Sequence, residues 1–581
     1  MYRACSIRLG LFLPALALAA AVGCAKQYTE QADRDCYRII DGRNDAAFGR
    51  HSLFTINPDP QLMAMFDEAQ KRAEQAGAFN PEPDEAPPQE TFTSDNLPPA
   101  LPQPLPQAVR LTMADAMSLA VRASRDYQTQ KETAYLAALA LTFQQYLFQP
   151  HPTWNGSVKF SDDNSGADNP VRVREWNDAS TIGVSQKLAT GALVVGNLGL
   201  TALKLLNKEI GDQVDTTLNF SVDQPLWRGA NPAVVQENLV QAERNALYAV
   251  RTYARYEQTF AVSVASQYLG VLKQRDIVVN QWQNYKSLIE SRERAEWLAK
   301  AERLPQFQVD QARQDELRAY NSWIVAREAY ENALDFFKVT LGIPAATDIA
   351  LVPQELERLS AAGVRAPRVD TEAAVAQALK TRLDLMNARG GVDDAQRKIA
   401  VAEDGLNGDV DLVASIGYVS PQALGGTAQS ARLLFNRGNY AIGLKIDMPI
   451  DRLQERNALR TAQINKEAAW RAMTLLEDNV LLQVRQDVRS LEQTHETYEN
   501  QRQSVALAER RVESTQLLLQ AGRATQRDVL DAQSSLVDAQ NALTQALVDY
   551  TLAGLALDRD VGTLTVDAKG RIRGWVLSEA K

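Results

Sequence analysis

The feature that most constrains this chain is a second copy of part of itself. Ala301, Arg303, Gln306, Val309 and Ala312 recur 220 residues later as Ala521, Arg523, Gln526, Val529 and Ala532. Ala319, Ala326, Tyr330, Ala333 and Gly342 recur in the same register as Ala539, Ala546, Tyr550, Ala553 and Gly562. One alignment therefore runs from Glu257/Glu477 to Gly342/Gly562 without a gap, and the chain is an internal duplication of a large helical unit. Glu316 lies under Leu536, so the two copies do not face identical surroundings.

The repeated stretch is helical by pattern. From Val529 the apolar positions fall at Ala532, Leu536, Ala539, Leu543, Ala546, Tyr550, Ala553 and Leu557, a heptad seam that predicts left-handed supercoiling against partner helices. Upstream of each copy the chain lacks proline, from Pro232 to about Lys300 (with Gly270 the one glycine) and from about Gln454 to Gln520. These predict two very long helices, each followed by a short break, at Lys300 to Pro305 and at Gln520 to Thr525, and then by the seam helix. Gly342-Ile343-Pro344 stops the first of these. Single helices are also expected from Leu111 to Phe148, opening on the capping box Thr112/Asp115, and from about Thr371 to Glu403.

Between these helices the period changes to two. Trp154, Gly156, Val158 and Phe160 alternate with polar residues, and Thr181 to Leu188, Leu193 to Leu203 and Thr217 to Leu226 read as further strands. In the second copy Val410 to Tyr418 and Tyr440 to Met448 alternate in the same way, and MPIDR at 448 to 452 matches QPLWR at 224 to 228. Four to six strands cannot close a membrane barrel from one chain, because such barrels start at about eight. The barrel must be shared between chains, with four strands from each if Thr181 to Leu203 stays outside it and six if that segment adds a hairpin.

At the N-terminus Arg3 and Arg8 precede an apolar run from Leu9 to Val22 that is short for a membrane span and reads as an export signal. The ending AVGC resembles a bacterial lipobox, in which Cys24 is acylated; Ala21 stands where that motif carries leucine, and Ala19-Ala20-Ala21 offers ordinary signal peptidase a competing site. Cys36 is then left without an intrachain partner in an oxidising compartment. Ala25 to about Phe79 is polar without a long periodic run, and the prolines of Asn80 to Gln107 predict an extended, semi-rigid linker, so the folded body is expected to start near Ala108.

The net charge of −10, with Lys and Arg dispersed along the helices, argues against nucleic-acid binding. Gly191 to Asn197 misses a phosphate loop because Asn197 stands where lysine is needed. His51, His151 and His495 are scattered, and no metal cluster, cofactor motif or nucleophile-base pair is recognisable, so no enzyme is expected.

Over about Ala108 to Leu564 the order of these parts resembles the TolC family of outer-membrane efflux proteins, on the duplicated plan, the QPLWRGA turn and AGRATQRDVLDAQSSLVDAQNAL ending in VGTL. The resemblance implies a mainly α fold with transmembrane β: a long coiled-coil tunnel plus a shared trimeric β-barrel, internally duplicated. It implies a homotrimer in outer-membrane lipid that spans into the periplasm, lipid-anchored at Cys24, whose partners are a periplasmic adaptor protein and an inner-membrane pump. It places adaptor-contacting tips at Arg303, Gly522 and Arg523 and a pore gate on Asp528 and Asp531. Those aspartates are three apart on one helix face, and in a trimer their crowding is expected to raise their pKa values; the plain alternative is that they stabilise a helix start. The first copy has Gln308 and Gln311 there, and Ala524 stands where the family often places a tip arginine. The expected organisation is a signal peptide at 1–23, an extension and linker at 24–107, repeats at 108–344 and 369–564 joined by a linker at 345–368, and a tail at 565–581. The function implied is a passive, gated exit duct of an efflux or secretion system; the rival is a structural or adaptor envelope lipoprotein without a pore, which would be expected to carry one hairpin beside a small all-β domain.

Overall fold

The computed structural model describes residues 25–48, 54–56, 93, 97–101, 109–165, 171–205, 213–364, 366–420, 435 and 438–574. In chain order these form α1 (Ala25–Phe48), β1 (Val109–Leu111), α2 (Met113–Ala123) and α3 (Arg125–Tyr146), then four strands, β2 (His151–Ser165), β3 (Val171–Lys187), β4 (Leu193–Leu205) and β5 (Gln213–Pro225). Helices α4 (Pro232–Val235), α5 (Glu237–Lys300) and α6 (Gln306–Leu341) follow, then β6 (Ile349–Leu351) and α7 (Gln354–Ala362). The second copy supplies α8 (Thr371–Thr381), α9 (Leu383–Asp404), β7 (Asp409–Val419), β8 (Gly438–Asp447), α10 (Leu453–Gln520) and α11 (Gln526–Val561).

The two long helices have 64 and 68 residues. At 1.5 Å per residue they extend about 96 and about 102 Å. The chain clusters into two units, one of Met1–His51, Ala134–Val250 and Asn387–Met473, the other of Ser52–Thr133, Arg251–Met386 and Thr474–Lys581.

In the first unit the six longer strands form one antiparallel sheet in the order β2-β3-β4-β5-β7-β8. Strand β3 begins ten residues before the expected Thr181, because Val171 to Ser180 pairs with β2 although its pattern, Arg-Glu-Asn-Asp among apolar residues, is too polar to read as a strand. Leu141 of α3 packs with Ala242 and Ala246 of α5. A polar seam joins α5 to α9: Tyr248 donates to Asp394 at 2.9 Å, Arg244 pairs with Asp394 at 2.7 Å, and Arg397 pairs with Glu237 at 2.8 Å. The twin turns use twin arginines, since Arg228 pairs with Asp409 at 3.4 Å and Arg452 donates to the Leu406 carbonyl. The folded body starts earlier than the sequence predicts. Helix α1 packs on α3, with Tyr135 donating to Asp33 at 2.7 Å and its ring 5.9 Å from that of Tyr37, and Cys36 and Ile40 are buried.

In the second unit β1 and β6 pair in parallel, and Glu355 accepts from the Met113 amide at 3.0 Å. Val480, Val484 and Val488 of α10 pack with Ala374, Val375 and Ala378 of α8 and with Leu557 and Val561 of α11. Two expected single helices are broken here, at Ser124 between α2 and α3 and at Arg382 between α8 and α9, where ψ is 128° and 122°. The cause is a pair of close approaches. The left-handed caps Gly342 (φ 77°) and Gly562 (φ 80°) end α6 and α11, and a Cβ on them would lie 2.1 Å from the Ala123 carbonyl oxygen and 2.7 Å from Thr381 Oγ1. Each break seats the end of a seam helix. At the second one Asp560, fully buried, accepts from Arg255, from Arg559 at 2.6 Å and from Gln483 at 2.9 Å.

Candidate pore wall and tip

Alternation divides the sheet into two chemically different faces. In register across β2, β3, β4, β5 and β7, Trp154, Ile182, Leu198, Leu218 and Tyr418 lie on one face, as do Phe220, Ile416 and Tyr440, and Ala414, Ile442 and Val222. The other face carries Asn155, Thr181, Gly199, Thr217 and, further along, Ser157, Asn219 and Ser415. On the apolar side aromatics gather toward the end where β2 leaves for β3 and β7 for β8: Phe160 lies 6.3 Å from Trp176, and Tyr418 and Tyr440 share a hydroxyl hydrogen bond of 3.0 Å with Phe435 5.2 Å from Tyr418. An apolar band with an aromatic girdle opposite a polar face is the pattern of a membrane barrel wall. The sheet has six strands and two edges, β2 and β8, each with one neighbour. Among the described residues no helix is long and apolar enough to cross a membrane.

Near the helical end the polar face collects Asp223, Asp409, Asp411 and Asp447, with Lys445 on Asp411 at 3.2 Å. This cluster was not singled out from the sequence, although Asp409 and Asp411 sit in the polar phase of the alternation that marks β7.

The two turns that follow the long helices are built alike. The amides of Ala301, Glu302 and Arg303 donate to Trp297, Ala299 and Leu298, and those of Ala521, Gly522 and Arg523 donate to Leu517, Leu519 and Leu518. Gly522 has φ 70°, and its twin Glu302 adopts φ 58° without being glycine. Arg303, Gly522 and Arg523 are exposed at these turns. Trp297, 71% exposed, carries Lys300 over its ring at 5.2 Å.

Asp528 and Asp531 stand at the start of α11. Asp528 closes a capping box, accepting from the Thr525 amide at 2.8 Å and the Thr525 hydroxyl at 2.7 Å. Those hydrogen bonds hold its carboxyl below the ordinary range, opposite in direction to the rise expected from crowding in a trimer. Asp531 is exposed and lies 3.9 Å from Arg527. In the first copy Pro305 occupies the cap position with no side-chain cap, yet the turn closes with the same backbone bonds. Cys24 lies outside the described residues.

Residues 374–563 match the family described as outer membrane efflux protein. The outer membrane protein TolC of Escherichia coli (strain K12) is 25% identical over 326 residues, 54% of this chain and 63% of that one. The chain thus spans less than two thirds of that relative. Among solved structures, the outer membrane protein VceC of Vibrio cholerae superposes with a TM-score of 0.57 at 18% identity, covering 78% of this chain and 96% of the other. The Campylobacter jejuni CmeC outer membrane channel gives 0.57 at 13% identity, over 80% and 87%. Both likenesses concern the fold.

Proposed function

We propose that this chain, a TolC-like member of the outer membrane efflux protein family by its match over residues 374–563 and by its fold, is a passive exit duct of the bacterial outer membrane. The observation that carries the reading is the two-faced sheet with two open edges. A sheet that is apolar toward one side and polar toward the other suits lipid and water, and its edges must be paired within a bilayer. Three copies, six strands each, close an 18-stranded barrel with β8 of one protomer beside β2 of the next. Acylation of Cys24 anchors the chain before assembly. The helical hairpins reach into the periplasm, where an adaptor meets the turns at Arg303, Gly522 and Arg523 and an inner-membrane pump supplies the cargo.

Asp528 and Asp531 form the gate, as two rings of three carboxylates in the trimer. Because the first-copy turn closes without a capping acid, Asp528 is not needed to build the turn, which supports a role beyond the cap. In planar bilayers wild type should be blocked by divalent or trivalent cations added on the periplasmic side, and Asp528→Ala with Asp531→Ala should remove the block. Thr525→Ala is the control: it weakens the helix start by about 1 kcal/mol and keeps the block. Equal block of wild type and the double variant would move the gate elsewhere, with Arg523 and Arg527 the next residues to test.

A further inference from the structure

Four aromatic residues on α5 and α6 form a cleft in the second unit. The rings of Tyr285 and Trp323 lie parallel, 6.4 Å apart at 8°, with Tyr320 5.2 Å from Tyr285 and Trp282 less than one turn before it on α5. Residues 97–101, Leu-Pro-Pro-Ala-Leu, occupy the cleft. Trp282 Nε1 donates to the Pro98 carbonyl at 2.9 Å, and Trp323 Nε1 donates to the Ala100 carbonyl at 3.0 Å. Leu97 packs on Tyr285, Leu288, Ile289 and Ala319 together with Leu530 of α11. Leu101 packs on Val278, Trp323 and Ala326.

Each part of this arrangement has a chemical reason. Pro98 and Pro99 fix φ and hold the preceding residues extended, so the segment reaches the cleft with little conformational freedom left to lose. It offers carbonyls and, at the prolines, no amide. Indole N–H groups are donors only and need an acceptor once covered. Two indole donors, two carbonyls and a leucine pocket on either side are the elements by which aromatic grooves read proline-rich segments.

We propose that this cleft is a recognition site for extended proline-rich peptide and that the chain's own residues 97–101 are its ligand, docked in cis. The docked segment ties residues 97–101 to α5 and α6 and, through Leu97 and Leu530, to the first turns of α11. A tethered ligand acts at an effective concentration on the order of millimolar, so the same segment supplied in trans does not displace it at micromolar levels.

The test uses the full chain with residues 80–107 replaced by a Gly/Ser stretch of equal length, which empties the cleft and leaves every residue of α5, α6 and α11 in place. A fluorescent peptide of residues 94–106 should bind this variant saturably, and wild type at least about ten-fold more weakly. Adding Trp282→Phe and Trp323→Phe to the emptied variant should weaken binding by about ten-fold or more, as loss of two hydrogen bonds requires, with helix content by circular dichroism unchanged. In the otherwise native chain the same two changes should speed cleavage of the 80–107 stretch by proteinase K. No saturable binding to the emptied variant, equal binding to wild type, equal binding of a proline-free scrambled peptide, or an unchanged cleavage rate would each overturn the proposal.

Discussion

Glu316 sits 7% exposed against Arg292, and at the twin positions the chain has Leu536 and Val512, so a buried ion pair in one copy is an apolar pair of residues in the other. Removing one partner strands the other: Arg292→Val should cost about 3 kcal/mol, whereas Arg292→Val with Glu316→Leu should cost under about 1 kcal/mol by denaturant unfolding. Glu302 holds a left-handed conformation that its twin fills with glycine, so Glu302→Gly should stabilise the first tip by about 1 kcal/mol, read as a raised Tm. Asp487 supplies a pH dependence. Burial, and after it the neighbouring Asp560, push its carboxyl from 3.8 up to about 6. The folded chain then holds that proton more tightly than the unfolded one, so the contribution is full below pH 3.8 and lost as pH rises through about 6. Asp487→Asn should abolish the stability loss between those limits and leave the variant more stable at pH 7, by on the order of 1 kcal/mol after allowance for partial exposure. Asp560 and Asp384, held low beside arginines, lose their contributions only at more acid pH.

At the scale of elements, the two faces of the sheet make opposite predictions for adjacent residues. Ile442 pairs with Ala414 on the apolar face and Ala441 with Ser415 on the polar one. Ile442→Arg should destabilise the membrane-inserted state by about 2–4 kcal/mol, while Ala441→Arg should leave stability within about 1 kcal/mol and change ion selectivity; heat-modifiability on gels reads the first and reversal potentials the second. Period-two alternation made most of the strands legible, and the 220-residue register located the paired tip turns at 301–303 and 521–523. What stayed hidden was set by contacts distant in sequence. The breaks at Ser124 and Arg382 interrupt continuous helical patterns because Gly342 and Gly562 seat there. Helix α1 escaped because its buried stripe is Cys36, Ile40 and Asn44, too polar to register as a periodic apolar face. The prolines of the 80–107 stretch predict an extended segment, but nothing in the sequence announces the indoles of Trp282 and Trp323 that meet residues 98 and 100. The capping role of Asp528 was the plainer of two readings, and the geometry makes it real without excluding the gate.

For the whole molecule, exposed apolar residues along the long helices fit the proposed assembly of several copies. Ile464, Leu475 and Leu482 on α10 and Leu317, Val325 and Phe336 on α6 are all more than half or about half exposed. Scattered apolar exposure is ordinary, but rows of it along long helices fit burial against neighbours of the same kind. The two open sheet edges fit the same proposal. The most direct test of the shared duct is electron microscopy of the detergent-purified full chain, at a resolution that separates strands. The account predicts three-fold particles with an 18-stranded barrel in which β8 of one copy pairs with β2 of the next. A monomeric particle, or a barrel of 12 strands with β3 and β4 outside it, would contradict it.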